Sequence, residues 1–156
     1  MVEIGSAAPA FTLVDTARTA TSLSDFAGKK VVIAFFPGAF TGVCTKEMCS
    51  IQDAMAAMNG LDAAVIGISI DSPFANGEFA AKNNITYPLL SDLTHSVIKA
   101  YGVEFHNFAG VEGYTAAQRS VFVLDKAGIV RYAWGAENPG IEPDYAAVIA
   151  AIEAIA

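Results

Sequence analysis

The sequence is poor in basic side chains, histidine and cysteine, and each shortage removes a class of function. Nine Lys and Arg stand against sixteen Asp and Glu, a formal charge of -7 at pH 7. The clustered basic face that displaces counterions from nucleic acid is therefore absent, and an anionic membrane surface is disfavoured. His95 and His106 are the only histidines and lie in different segments, so no metal centre of imidazoles and thiolates is expected. The N-terminus carries no basic n-region, and the longest apolar stretch, VVIAFFPGAF, is too short to span a bilayer. A cytoplasmic location is the default expectation. Two cysteines, Cys44 and Cys49, are too few for the disulfide framework of small secreted domains and leave reactive or buried thiols.

What is present is largely apolar. Hydrophobic residues make up 54% of the chain and charged ones 16%, enough for a substantial core, and 156 residues suit one domain over 1–156. FTLVD (11–15) reads as a short strand and VVIAFFP (31–37) as a central strand buried on both faces. Val43, Met48, Ile51, Met55 and Met58 recur at helical steps from Thr41 to Met58, with Asn59-Gly60 as the stop. AAVIGISI (63–70) is the next buried strand, and Ser72 and Pro73 cap and start a helix running to about Asn83. TYPLLSD (86–92) predicts a short strand, SVIKAYG (96–102) a short helix, and 103–118 a long loop. SVFVLDKAGIVRYAW (120–134) predicts a hairpin turning at Lys126-Ala127-Gly128, and 142–155 a final helix. The expected fold is α/β, a mixed central sheet of about five to seven strands flanked by helices.

The chemistry gathers at PGAFTGVC (37–44). The segment follows a buried strand and opens a helix, so Cys44 stands where unpaired N–H groups and the helix dipole favour a negative charge. Thr41 can cap this helix, and its hydroxyl lies three residues before Cys44, placed to bond the thiolate or a bound oxygen. Pro37 offers an apolar wall with no N–H donor. Arg119 enters an apolar strand, where a guanidinium can reach the sheet edge and an unpaired charge would be costly. Glu47 follows Cys44 by three residues, on the same helical side, either as a partner in the site or as a solvated carboxylate.

Pro37, Thr41 and Cys44 match the P-x-x-x-T-x-x-C signature of the peroxiredoxins, and the resemblance continues through CTKEMC (44–49), GISIDSP (67–73), YPLLSD (87–92) and RSVFVLDKAGIVRY (119–132). It implies a thioredoxin-like fold with an N-terminal extension and a thiol-dependent peroxidase that needs no bound cofactor. The implied substrates are hydrogen peroxide and organic hydroperoxides, and the implied reductant is a thioredoxin-like or other dithiol partner. By the same resemblance Cys44 attacks the peroxide, Thr41 and nearby amides hold it, Arg119 is the cation beside the thiolate, and Glu47 orients Arg119.

The spacing of Cys49 from Cys44 resembles the resolving cysteine of the Q-type, or bacterioferritin-comigratory, branch. Residues 136–145 and Phe108-Ala109-Gly110 look closer to archaeal and E-type alkyl hydroperoxide reductases, which can work with one cysteine. In an intact helix the two residues are separated by about 500° of rotation and roughly 7.5 Å of rise, so a disulfide requires unwinding. Otherwise Cys49 is a small residue packed on an apolar face. The chain ends at the 142–155 helix, so no resolving thiol on a C-terminal arm is expected. Phe40 either lines the peroxide entry or simply packs; Trp134 and Tyr132 read as packing. Phe105, Phe108 and Tyr114 border the substrate pocket or form a homodimer contact. The competing functions are a redox-sensing or chaperone-like protein built on the same oxidation, and a general disulfide oxidoreductase, against which the missing CxxC speaks.

Overall fold

The computed structural model describes residues 1–156. The strands are β1 (Thr12–Val14), β2 (Ala20–Ser22), β3 (Lys30–Phe35), β4 (Ala63–Ser69), β5 (Leu89–Ser91), β6 (Glu104–Phe105), β7 (Ala116–Ala117), β8 (Ser120–Leu124) and β9 (Val130–Gly135). Seven of them form one mixed sheet in the order β2-β1-β5-β4-β3-β8-β9, and β6 pairs with β7 outside it. β3 runs parallel to β4, and β4 to β5, while β3–β8 and β8–β9 are antiparallel. All six β3 residues are buried, as expected of a strand covered on both faces.

Four helices accompany the sheet: α1 (Gly42–Gly60), α2 (Pro73–Asn83), α3 (Ser96–Ala100) and α4 (Tyr145–Glu153). Alternate β3 side chains serve opposite cores. Val32 and Ala34 join Met48, Ile51 and Met58 of α1 and Val148 and Ile152 of α4. Val31, Ile33 and Phe35 join Tyr101, Val97 and Phe122 on the other face. Cap chemistry sets the entries of two helices: the Ala75 amide donates to Ser72 Oγ ahead of Pro73, and the Ala147 amide donates to Asp144 Oδ1. No helix is long and apolar enough to cross a membrane.

The structure departs from the sequence reading in four places. β2 and the 3-10 turn at Leu23–Phe26 are additional; three residues of Ala-Thr-Ser and one short Leu-Ser-Asp-Phe turn are too brief to leave an alternating pattern. The 103–118 segment is not a plain loop but carries the antiparallel pair β6 and β7, strands too short for periodicity to report. Helix α1 ends at Gly60 as expected, but Gly60 is its last helical residue rather than a left-handed cap: the cap is Leu61, and the left-handed residue beyond it is Asp62. The last helix begins at Tyr145 rather than 142, because Asp144 supplies the cap.

Candidate active site

The parallel strands β3 and β4 deliver the chain to the mouth of the site. At the end of β3 the Phe36 amide donates to Ile68 O, and Pro37 and Gly38 remain buried. The loop then bends through Phe40, whose φ of +64° is uncommon for a residue with a side chain. Thr41 is the N-cap residue of α1. Its hydroxyl does not cap the helix, contrary to the sequence expectation, but donates to Gly38 O at 2.9 Å and closes the loop on itself. The first intrahelical bond runs from the Thr45 amide to Thr41 O, so the earlier N–H groups of the helix have no acceptor within it.

Cys44 lies in that first turn and is fully buried. Arg119, 75 residues away, directs Nη2 to Cys44 Sγ at 3.1 Å. Its Nη1 bonds Glu47 Oε2 and its Nε donates to Pro139 O at 3.1 Å, so the guanidinium is held at three nitrogens. Strand β8 is interior to the sheet rather than at its edge, and Arg119 reaches the site from the residue just before the strand. Glu47 is not a solvated carboxylate but has no exposed surface, and its Oε1 has no hydrogen-bond partner.

The electrostatics follow from this burial. Desolvation pushes the Glu47 carboxyl up to about 7, more than the adjacent Arg119 guanidinium lowers it. For Arg119, burial favours the neutral form, but Glu47 and Cys44 outweigh it and hold the group cationic. Tyr87 and Tyr145, both raised chiefly by burial, also sense the Glu47 charge.

Cys49 is half-buried on the same helix, and its thiol donates to Asn83 Oδ1 of α2 at 3.8 Å. Both cysteines are free thiols. The structure thus brings Cys44, Arg119 and Glu47 together, leaves Pro37 and Thr41 in the loop leading to Cys44, and turns Cys49 toward α2. Phe40 is 51% exposed and stands edge-on to Phe79. Phe105, Phe108 and Tyr114 form an edge-to-face ladder, and a Cβ on Gly38 would lie 3.8 Å from the Tyr114 hydroxyl, so the ladder ends beside the loop. Tyr132 and Trp134 pack against the core.

One residue of the site was missed from the sequence. Asp71 accepts the Ala39 amide at 2.8 Å through Oδ2. Its signal was its place two residues beyond a parallel strand, since the carboxyl ends of such strands are where α/β sheets build their sites.

Residues 4–133 match the AhpC/TSA family. The putative peroxiredoxin bcp of Coxiella burnetii is 35% identical over 133 residues, spanning 85% of this chain and 88% of that one. Alkyl hydroperoxide reductase E of Mycobacterium tuberculosis is 38% identical over 136 residues, 85% of each chain. The crystal structure of Peroxidoxin BcpB from Mycobacterium tuberculosis superposes with a TM-score of 0.87 at 28% identity, covering 100% of this chain and 99% of that one. This is the fold and the ancestry that the loop before Cys44 suggested: the chain belongs to the AhpC/TSA family, the peroxiredoxins, and is a thiol-dependent peroxidase.

Proposed function

We propose that the protein reduces hydrogen peroxide and organic hydroperoxides with Cys44 as the attacking thiolate. The observation that carries this reading is the buried guanidinium of Arg119, which gives one nitrogen to Cys44 Sγ and another to Glu47 at the start of α1. A cation at hydrogen-bond distance and the free N–H groups of the first helical turn both favour the charged sulfur. In the chemical step the sulfur–oxygen bond forms as the oxygen–oxygen bond breaks. Sulfur loses two electrons, and the departing oxygen takes a proton and leaves as water or an alcohol. Cys44 becomes a sulfenic acid. Charge that starts on sulfur passes to the leaving oxygen, so donors already fixed in a water-poor site stabilise it without reorganisation. Thr41 and the amides beside Cys44 hold the peroxide, Pro37 walls the site, and Glu47 orients Arg119.

Cys49 resolves the sulfenic acid in this reading: its sulfur attacks that of Cys44, a disulfide forms, and water leaves. A thioredoxin-like dithiol then reduces the disulfide and restores both thiols. The rise of about 7.5 Å across five helical residues exceeds the separation of about 4.4–6.8 Å that a disulfide tolerates between Cα atoms. The first turns of α1 therefore unwind in this step, and Cys49 leaves Asn83. The test is mass spectrometry of the protein after one equivalent of peroxide. A Cys44–Cys49 disulfide supports the reading; a lasting sulfenic acid at Cys44 beside a free Cys49 leaves a one-cysteine peroxidase, and no oxidation of Cys44 overturns both.

A further inference from the structure

Two side chains outside the active loop, Pro37 to Val43, bond its backbone: Thr45 of α1, the helix the loop opens, donates Oγ1 to Thr41 O, and Asp71, reaching in from beyond β4, accepts the Ala39 amide. A third side-chain bond is internal, from Thr41 Oγ1 to Gly38 O. The amide that donates to Asp71 is that of Ala39, immediately before Phe40, the loop's one residue at positive φ. A strained residue keeps its conformation only when the structure around it supplies a restraint, and Asp71 is placed to supply one.

The anchor is itself anchored. Asp71 Oδ2 also accepts Ser69 Oγ at 2.8 Å, and the Asp71 amide donates to Ser69 Oγ at 3.2 Å. Ser69 is fully buried and bonds Asn76 of α2, whose Nδ2 reaches Ser91 Oγ of β5 at 3.4 Å. A buried polar network tied to β4, β5 and α2 therefore fixes the carboxylate. Asp71 makes no ion pair with any Lys or Arg. Its charge, with that of Cys44, raises the phenol of Tyr114 beside the loop, after the larger effect of burial. A carboxylate in the neighbourhood of a thiolate opposes the thiolate's charge, so what Asp71 contributes is the position of an acceptor oxygen.

We propose that Asp71 is a positioning residue for peroxide reduction: it holds the Ala39 amide, and with it the loop, in the bend that presents Thr41 and the first N–H groups of α1 to a peroxide at Cys44. The inference rests on the Cys44 reading above. It assigns Asp71 no contact with substrate.

Two substitutions in the full-length protein separate position from charge. Asp71→Asn keeps an acceptor oxygen in place and removes the charge; Asp71→Glu keeps the charge and displaces the acceptor by a methylene. Three quantities are measured in each: the rate of Cys44 oxidation by hydrogen peroxide, the rate of Cys44 alkylation by iodoacetamide, and amide exchange at Ala39. Alkylation needs the thiolate but not an aligned peroxide. Asp71→Glu is expected to lose on the order of 10- to 100-fold in peroxide rate, the cost of a small misplacement of reacting groups. Its alkylation stays near wild type while the Ala39 amide exchanges faster. Asp71→Asn is expected to keep both rates and the Ala39 protection. Asp71→Ala replaces the Glu variant if that protein does not fold, with the same expectation. The proposal is overturned if the Glu or Ala variant oxidises as fast as wild type, if the Asn variant falls equally far, or if alkylation falls in step with oxidation. A wild-type protein whose Cys44 does not react with peroxide would instead remove the Cys44 reading itself.

Discussion

Cys44, in the first turn of α1, is fully buried with an Arg119 nitrogen 3.1 Å from its sulfur. Cys49, about a turn and a half further along, is half-buried with only the Asn83 side-chain carbonyl at 3.8 Å. One helix therefore presents the same side chain in two settings. The first combines a cation with helix N–H groups that have no acceptor within the helix, a place for a thiolate. The second offers an acceptor, which a protonated thiol satisfies by donating. The difference lies in what the rest of the fold brings to each end of the segment, and it is the ground on which the proposed function gives the two sulfurs different roles.

Removing the first sulfur gives the largest effect. Cys44→Ser is expected to abolish peroxide consumption with dithiothreitol as reductant and to leave the melting temperature near wild type, because the hydroxyl is almost isosteric and is not ionised near neutral pH. Retained turnover would end the assignment of Cys44.

Removing the cation follows. Arg119→Ala is expected to slow peroxide reduction on the order of 10²- to 10³-fold, the usual consequence of losing one fixed donor to developing charge, and to slow alkylation of Cys44 at neutral pH. Arg119→Lys keeps the charge but loses the planar fork that serves Cys44 and Glu47 from two nitrogens, so stopped-flow oxidation should place it between Ala and wild type. An unchanged rate in both variants would separate Arg119 from the reaction.

Cys49→Ser sharpens the comparison from the other end. Its first reaction with peroxide should match wild type, after which Cys44 stays as sulfenic acid, overoxidises more readily and recycles only when a small thiol is supplied. In wild type, amide exchange over Gly42 to Ile51 should rise on oxidation as the helix start opens. In Cys49→Ser it should not. Equal exchange in the two proteins would mean that Cys49 only packs.

The smallest effect concerns Glu47. Its folded carboxyl titrates at about 7 against an ordinary 4.5, so between these values the folded protein binds a proton that the unfolded chain has released. Stability from this group is present below about pH 4.5 and is lost as pH rises through about 7. A tenfold difference in proton affinity between the two states is worth about 1.4 kcal/mol, so the loss across the interval comes to a few kcal/mol. Glu47→Gln should therefore melt at a temperature less dependent on pH across that interval, with its advantage over wild type growing as pH rises. Parallel melting curves for the two proteins would show that Glu47 stays ionised with Arg119 throughout.

Much of this protein was readable residue by residue. The unbroken, largely β-branched and aromatic run at Val31–Phe36 read as a strand covered on both faces, Ser72-Pro73 wrote the start of α2, and Gly128 stood where the hairpin needs positive φ. The loop before Cys44 and the helix after it followed from the same local rules. These features depend on neighbours within a turn or two of the chain, where side-chain spacing and backbone preference act directly.

Tertiary structure decided the rest. Spacing put Glu47 on the Cys44 side of α1 but could not say that it would be buried, because its partner Arg119 lies 72 residues away. The Thr41 hydroxyl could cap the helix or close the loop, and the bend at Phe40 selected Gly38 O. The bond from the Ala39 amide to Asp71 exists because parallel pairing of β3 and β4 sets two strand ends side by side. Charge burial and loop restraint depend on atoms brought close by folding, and the distance along the chain between them carries no trace in either segment alone.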